Sequence, residues 1–147
     1  MKTWTTEMWL AGMPEQVFDL LTEPDAIARW APIPFDLVAI DGDRLRAGTH
    51  AHVRGSLAGR DLKFEVEIRE ARDGCLSLVA TGPITIDATY VLSPVDGGSE
   101  VRASVSVSGR GLIGTVLAAA ADALLAAGAL RSSVARIGRE FEPALTA

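Results

Sequence analysis

From Leu112 to Glu142 the chain runs thirty-one residues without a proline, set off at its start by Gly109-Arg110-Gly111. A single helix of that length would span roughly 45 Å at about 1.5 Å per residue, well beyond the usual three turns. Projected at about 100° per residue, Ile113, Val116, Leu117, Ala120, Leu124, Ala127, Val134 and Phe141 share one stripe. Asp122, Ser133, Arg136 and Glu140 fall opposite. A long amphipathic helix ending a chain that otherwise reads as β-strands needs a curved sheet to lie against. A space between that sheet and the helix is then the expected place for function.

The strands are legible from their period of two. Trp4 to Ala11 alternates Trp4, Thr6, Met8 and Leu10 against Thr5, Glu7 and Trp9. Further strands are predicted at residues 35–41, 49–56, 62–71, 75–81, 84–93 and 100–108, separated by links such as Arg72-Asp73-Gly74 and Asp96-Gly97-Gly98. In the clearest, Leu62, Phe64, Val66 and Ile68 oppose Lys63, Glu65, Glu67 and Arg69. One apolar and one polar face marks an antiparallel sheet covered on a single side. Between the first two strands, Pro14-Glu15 and Pro24-Asp25 each start a short helix, because proline loses nothing at a first-turn position and an acid there meets the positive end of the dipole. The order β, two short helices, six β, one long helix predicts an α+β fold rather than alternating βαβ units.

Composition excludes several classes. With 147 residues, 48% of them hydrophobic and 22% charged, the chain is expected to form one domain, 1–147, without help from metal or disulfide. A net charge of −5 with lysine only at positions 2 and 63 argues against a nucleic-acid partner. The lone Cys75 allows no internal disulfide and fits a reducing compartment. Met1 to Glu7 lacks the apolar core of a signal peptide. Leu112 to Leu130 carries one charge, Asp122, at its centre, where membrane insertion would cost about 2.5–3.5 kcal/mol. A cytoplasmic location without membrane insertion is therefore expected.

The stretch Met13-Pro14-Glu15-Gln16-Val17-Phe18-Asp19-Leu20-Leu21-Thr22-Glu23-Pro24, then Trp30-Ala31-Pro32, then Tyr90-Val91-Leu92-Ser93-Pro94 with Gly97-Gly98, and finally the long terminal helix, resembles the START-like helix-grip superfamily. The order is most similar to its polyketide cyclase/dehydrase and lipid-transport branch. The resemblance covers essentially the whole chain. It implies a curved seven-stranded antiparallel sheet wrapped around the terminal helix, and a pocket for small apolar molecules. The branch includes carriers, ligand sensors and cyclases, so fold transfers more safely than chemistry.

Candidate cavity-lining residues are Met8, Trp30, Phe64, Val66, Tyr90 and Leu92, facing Ile113, Leu117, Ala120 and Leu124 of the helix. Close packing would leave them no space; the alanines of the helix, placed where a filled core would hold leucine, favour a cavity. Tyr90 and Arg131 are the candidate polar anchors for a ligand. His50 and His52 share one strand face, with Ala51 and Val53 the more natural inward pair. No third ligand at suitable spacing is evident, so no metal and no cofactor are expected. Asp87 is expected on the outer face of its strand. Cys75 lacks any neighbour in sequence that would activate it. The readings left open are a binding module for a polyketide-, lipid- or isoprenoid-like molecule, a cyclase or dehydratase using a pocket acid or base, and an accessory protein acting through the outer helix face. Ala118, Leu125, Ala126 and Ala129 on that face suggest a homodimer.

Overall fold

A computed structural model describes residues 2–33 and 35–141. Strands β1 (Lys2–Leu10), β2 (Phe35–Ile40), β3 (His50–Leu57), β4 (Arg60–Arg72), β5 (Cys75–Thr81), β6 (Ile84–Val95) and β7 (Gly98–Gly109) form one antiparallel sheet. Their order across it is β1-β7-β6-β5-β4-β3-β2. Two hairpins are set by tight turns: Ala58 and Gly59 join β3 to β4, Asp73 and Gly74 join β4 to β5, and all four residues have positive φ. Two consecutive positive φ values give the turn whose twist matches that of the flanking strands. Alternation is preserved. In β3, Ala51, Val53 and Leu57 are buried while His50, His52 and Arg54 point outward.

Helix α1 (Pro14–Leu21) begins where the proline predicts, and the Gln16 side chain accepts from the Met13 backbone N–H at 3.0 Å. It buries Val17 and Leu21. A turn of 3₁₀ helix (Pro24–Ala26) then leads into α2 (Ile27–Trp30), a single turn of α-helix. All the helices add to the same fold class predicted from sequence, α+β with one sheet.

The terminal helix differs from its prediction. It is two helices, α3 (Gly111–Ala126) and α4 (Ala129–Arg139), meeting at 54°. Gly128, at φ 97°, breaks the run, and its N–H closes the end of α3 on the Leu125 carbonyl. Positive φ is cheap for glycine and costly for any residue with a Cβ. The predicted end at Glu142 lies outside the described residues. Gly109, where β7 passes into α3, has its own reason: a Cβ there would lie 2.1 Å from the Gly114 carbonyl oxygen.

The predicted stripe also needs correction. Gly114, Leu117, Ala121 and Leu125 are the buried face of α3. Ile113 is 57% exposed, and Leu112, Val116 and Leu124 are exposed beside it. Ala120 is half-buried, and Ala127 is exposed. With the helix rotated this way, Leu125 belongs to the core rather than to a smooth outer surface. Asp122 accepts the Trp4 indole N–H at 2.9 Å, which ties α3 to β1. Among the described residues no single helix is long and apolar enough to cross a membrane.

Candidate functional site

The inner faces of β3 to β7 form one wall of a cavity. Ala51 and Val53, Val66 and Ile68, Leu78 and Ala80, Ile86, Ala88 and Tyr90, and Val105 each reach it from successive strands. Ile27 and Trp30 of α2, the following Ala31, Pro32 and Ile33, Phe35 at the start of β2, and Leu45 close the other side. The roof is therefore α2 and its following link. None of the described lining residues belongs to α3 or α4, so the cavity is not between the sheet and the terminal helix as predicted. The physical reason is the packing of α3: Leu117, Ala121 and Leu125 lie buried in the core. The volume is about 70 Å³, well under the ~300–1,000 Å³ of pockets that enclose drug-sized ligands.

Of the predicted lining residues, Trp30, Val66 and Tyr90 come together on the wall. Phe64 and Leu92 are buried and Met8 half-buried, packed in the core away from the cavity. Phe64 instead stacks edge-on against Phe35, with ring centroids 5.5 Å apart. Leu117 is buried off the wall, whereas Ile113 and Leu124 face outward and Ala120 is half-buried. Arg131 is exposed and does not serve as an anchor to the cavity. Its position follows from the break at Gly128, which resets the phase of α4.

The residues that α4 does turn inward are Leu130, Ser133, Val134, Ile137 and Gly138. Ser133 and Arg136, both placed on the outer side by the continuous wheel, organise the end of the cavity. Ser133, 0% exposed, donates its hydroxyl proton to the Trp30 carbonyl oxygen. The Tyr90 hydroxyl lies 3.0 Å from Ser133 Oγ. A serine carries one hydroxyl proton, and the carbonyl can only accept, so Tyr90 is the donor of the second bond. Arg136 donates from Nε to the Arg29 carbonyl at 3.1 Å and from Nη2 to the Ala31 carbonyl at 2.8 Å. Three successive carbonyls at the end of α2 are thus held by α4. An ion pair of Arg29 with Glu140, 2.8 Å long, adds to the same contact at the surface. A restart of the helical count at Gly128 would have grouped Ser133 with Leu130, Val134 and Ile137 by i, i+3, i+4 spacing; that was the available signal.

Trp30 and Tyr90 meet edge to face, with centroids 5.2 Å apart and planes at 73°. Trp30 is 4% exposed, and its Nε1–H has no acceptor among the described residues. Leaving a buried donor unmatched costs about 1–3 kcal/mol, so this group calls for a physical account.

Burial pushes the Tyr90 phenol up to about 12, against smaller opposing effects of the Ser133 hydrogen bond and the Arg136 charge. The sign of its linkage follows. An unfolded phenol near 10 loses its proton first. The stability Tyr90 contributes is therefore complete below pH 10 and is lost as pH rises towards 12, amounting to about 3 kcal/mol. Tyr90 is the chain's one tyrosine, so tyrosinate absorbance reports it alone. A spectrophotometric titration of the folded protein should give a midpoint well above that of the denatured chain; coincident midpoints would show the phenol to be solvated.

The other sequence candidates lie elsewhere. His50 is exposed, with Nδ1 3.6 Å from Glu65, and His52 points to the same outer face. Asp87, on the outer side of β6, pairs with Arg69 at 3.2 Å. Burial and the neighbouring Glu70 carboxylate raise the Cys75 thiol above its ordinary range, which keeps thiolate scarce at neutral pH. Among the described residues no group of three or more His, Cys, Asp or Glu could hold a metal ion.

Comparison with known proteins gives a consistent picture. The sequence profile described as "Polyketide cyclase / dehydrase and lipid transport" matches residues 1–142. No curated protein matches the chain significantly. Among solved structures, a protein of Chromobacterium violaceum superposes with a TM-score of 0.70 at 18% identity, covering 96% of this chain and 97% of that one. A protein of Thermus thermophilus gives 0.71 at 15% identity, covering 95% and 97%. A START superfamily protein from Mycobacterium smegmatis gives 0.69 at 11%, covering 95% and 99%. At these identities the likeness is one of fold.

Proposed function

Because the chain belongs to the polyketide cyclase/dehydrase and lipid transport family, we propose that it is a START-like binding domain that encloses a small apolar molecule beneath α2. The observation that carries this reading is the wall itself. The described lining consists of aliphatic and aromatic side chains from six strands, α2 and the links after α2 and β2. Tyr90 is the one ionisable group on it, and burial holds its phenol protonated far above neutral pH. A wall of this kind favours binding by desolvation, with shape and one or two polar atoms setting orientation. Acid–base chemistry of a cyclase would call for two ionisable groups converging on one point.

At about 70 Å³ the cavity receives a ligand of a few heavy atoms as it stands. A larger polyketide-, lipid- or isoprenoid-like molecule needs the roof to move outward. Such a movement would disturb little regular structure, since α2 is one turn long, and it would act against the bonds by which α4 holds the end of α2. Native mass spectrometry of the purified protein, before and after organic extraction, tests the reading. A co-purifying apolar molecule lost on extraction is the expected result. Absence of any adduct, with no binding of added apolar probes, would sink it.

A further inference from the structure

We propose that Arg136 sets the size of molecule the cavity admits. By holding the end of α2 down, it keeps out apolar molecules larger than the present space until its bonds there are released. This deepens the binding role given to the cavity and rests on it. The guanidinium donates to the Arg29 carbonyl at 3.1 Å and to the Ala31 carbonyl at 2.8 Å. Both acceptors are backbone atoms at the end of a one-turn helix, where carbonyls lack intrahelical partners. Pro32 follows and brings no N–H that would continue the helix. A side chain of α4 therefore fixes the course of the roof's backbone, whatever side chains the roof itself carries.

The roof's polar attachments lie on that side. Among the described residues, the side-chain hydrogen bonds that reach residues 24–33 involve Ser133, Arg136 and Glu140, all in α4 or directly after it. At the other borders Ile33, Phe35 and Leu45 meet the cavity with apolar side chains. Apolar contact is non-directional and tolerates a shift of the backbone, whereas a hydrogen bond is lost beyond about 3.5 Å. Ser133 also holds Tyr90 and lies wholly in the core, so it serves the wall as well as the roof. Arg136 is half-buried, is not among the described residues lining the cavity, and its hydrogen bonds there go to the roof. With about 70 Å³ beneath the roof, a very small ligand leaves both Arg136 bonds in place, and a large one has to break them. The apparent affinity for a large ligand is then lowered by the fraction of molecules whose roof is open.

Xenon, a single apolar atom, and N-phenyl-1-naphthylamine, an uncharged dye larger than the cavity, are the probes. Xenon binding is read from amide shifts of ¹⁵N-labelled protein under gas pressure, and dye binding from the rise in fluorescence. Arg136→Met keeps the apolar stem and removes the donors. It should bind the dye about tenfold tighter than the wild-type protein, the worth of the bonds no longer broken. Its xenon affinity should stay within about twofold, because that complex leaves the roof closed. Arg136→Lys, with one ammonium in place of the forked guanidinium, should fall between, at about threefold for the dye. Ala88→Leu, added to Arg136→Met, fills space at the cavity wall and should abolish the gain. Unchanged dye affinity in Arg136→Met, an equal gain for xenon, or a gain that survives Ala88→Leu overturns the assignment, while xenon binding leaves the cavity's binding role intact. Failure of both probes to bind wild type and variant alike removes that role and this assignment with it. If Arg136→Met does not fold, Arg136→Lys against the wild-type protein decides.

Discussion

Replacing Ser133 with alanine should lower the free energy of unfolding by about 3 kcal/mol, a large share of the ~5–15 kcal/mol that holds a typical domain folded. The methyl group fits where the serine was, so packing is not the cause. The hydroxyl is both donor to the Trp30 carbonyl and acceptor from Tyr90, in a place without solvent. Its removal leaves two buried polar groups unmatched, and each costs about 1–3 kcal/mol. Denaturant unfolding should show a lower midpoint at unchanged slope. Adding Tyr90→Phe in the same protein removes one of the two orphans. The double variant should then be less destabilised than the sum of the single changes. Strict additivity, or a loss under about 1 kcal/mol for Ser133→Ala, would mean that the three groups do not act as one network.

Ala88→Leu should abolish binding of small apolar probes, weakening it by at least about a hundredfold, equivalent to roughly 3 kcal/mol. Ala88 sits on the inner face of β6 between Ile86 and Tyr90. Its cross-strand partners, Leu78 on β5 and Val105 on β7, lie on the same wall. A leucine adds three carbons at the floor of a cavity of about 70 Å³ and occupies the space a ligand would use. Because no protein side chain fills this volume, stability should hold or rise by about 0.5–2 kcal/mol, as filling a cavity commonly does. Calorimetric titration with cyclopentanone, beside thermal unfolding, separates the two effects. Wild-type affinity in a folded Ala88→Leu protein would place the binding site elsewhere.

The division between what was readable in the chain and what was not follows the contrast between its strands and its last helices. In β3, β4, β6 and β7 apolar and polar residues alternate, and a period of two leaves only two phases to choose between. That is why the outward His50 and His52, the inward Ala51 and Val53, and the inward Tyr90 were assignable from sequence. The helix starts at Pro14 and Pro24 were equally plain, because proline fixes φ and tolerates only certain positions.

Residues 112–130 offered no comparable contrast. A helix of leucine, valine and alanine is apolar all round, so its buried face is set by whichever side meets β7, not by its own pattern. Gly128 then broke the count, and carrying one wheel across it put Ser133 and Arg136 on the wrong side. Sequence by itself determined the sheet, its facing residues, the short helices and the family resemblance. Tertiary structure decided which element roofs the cavity and which side chains complete it. The bonds responsible join Ser133 to Tyr90 and to Trp30, partners 43 and 103 residues away, and contacts at such separations leave no local periodic trace.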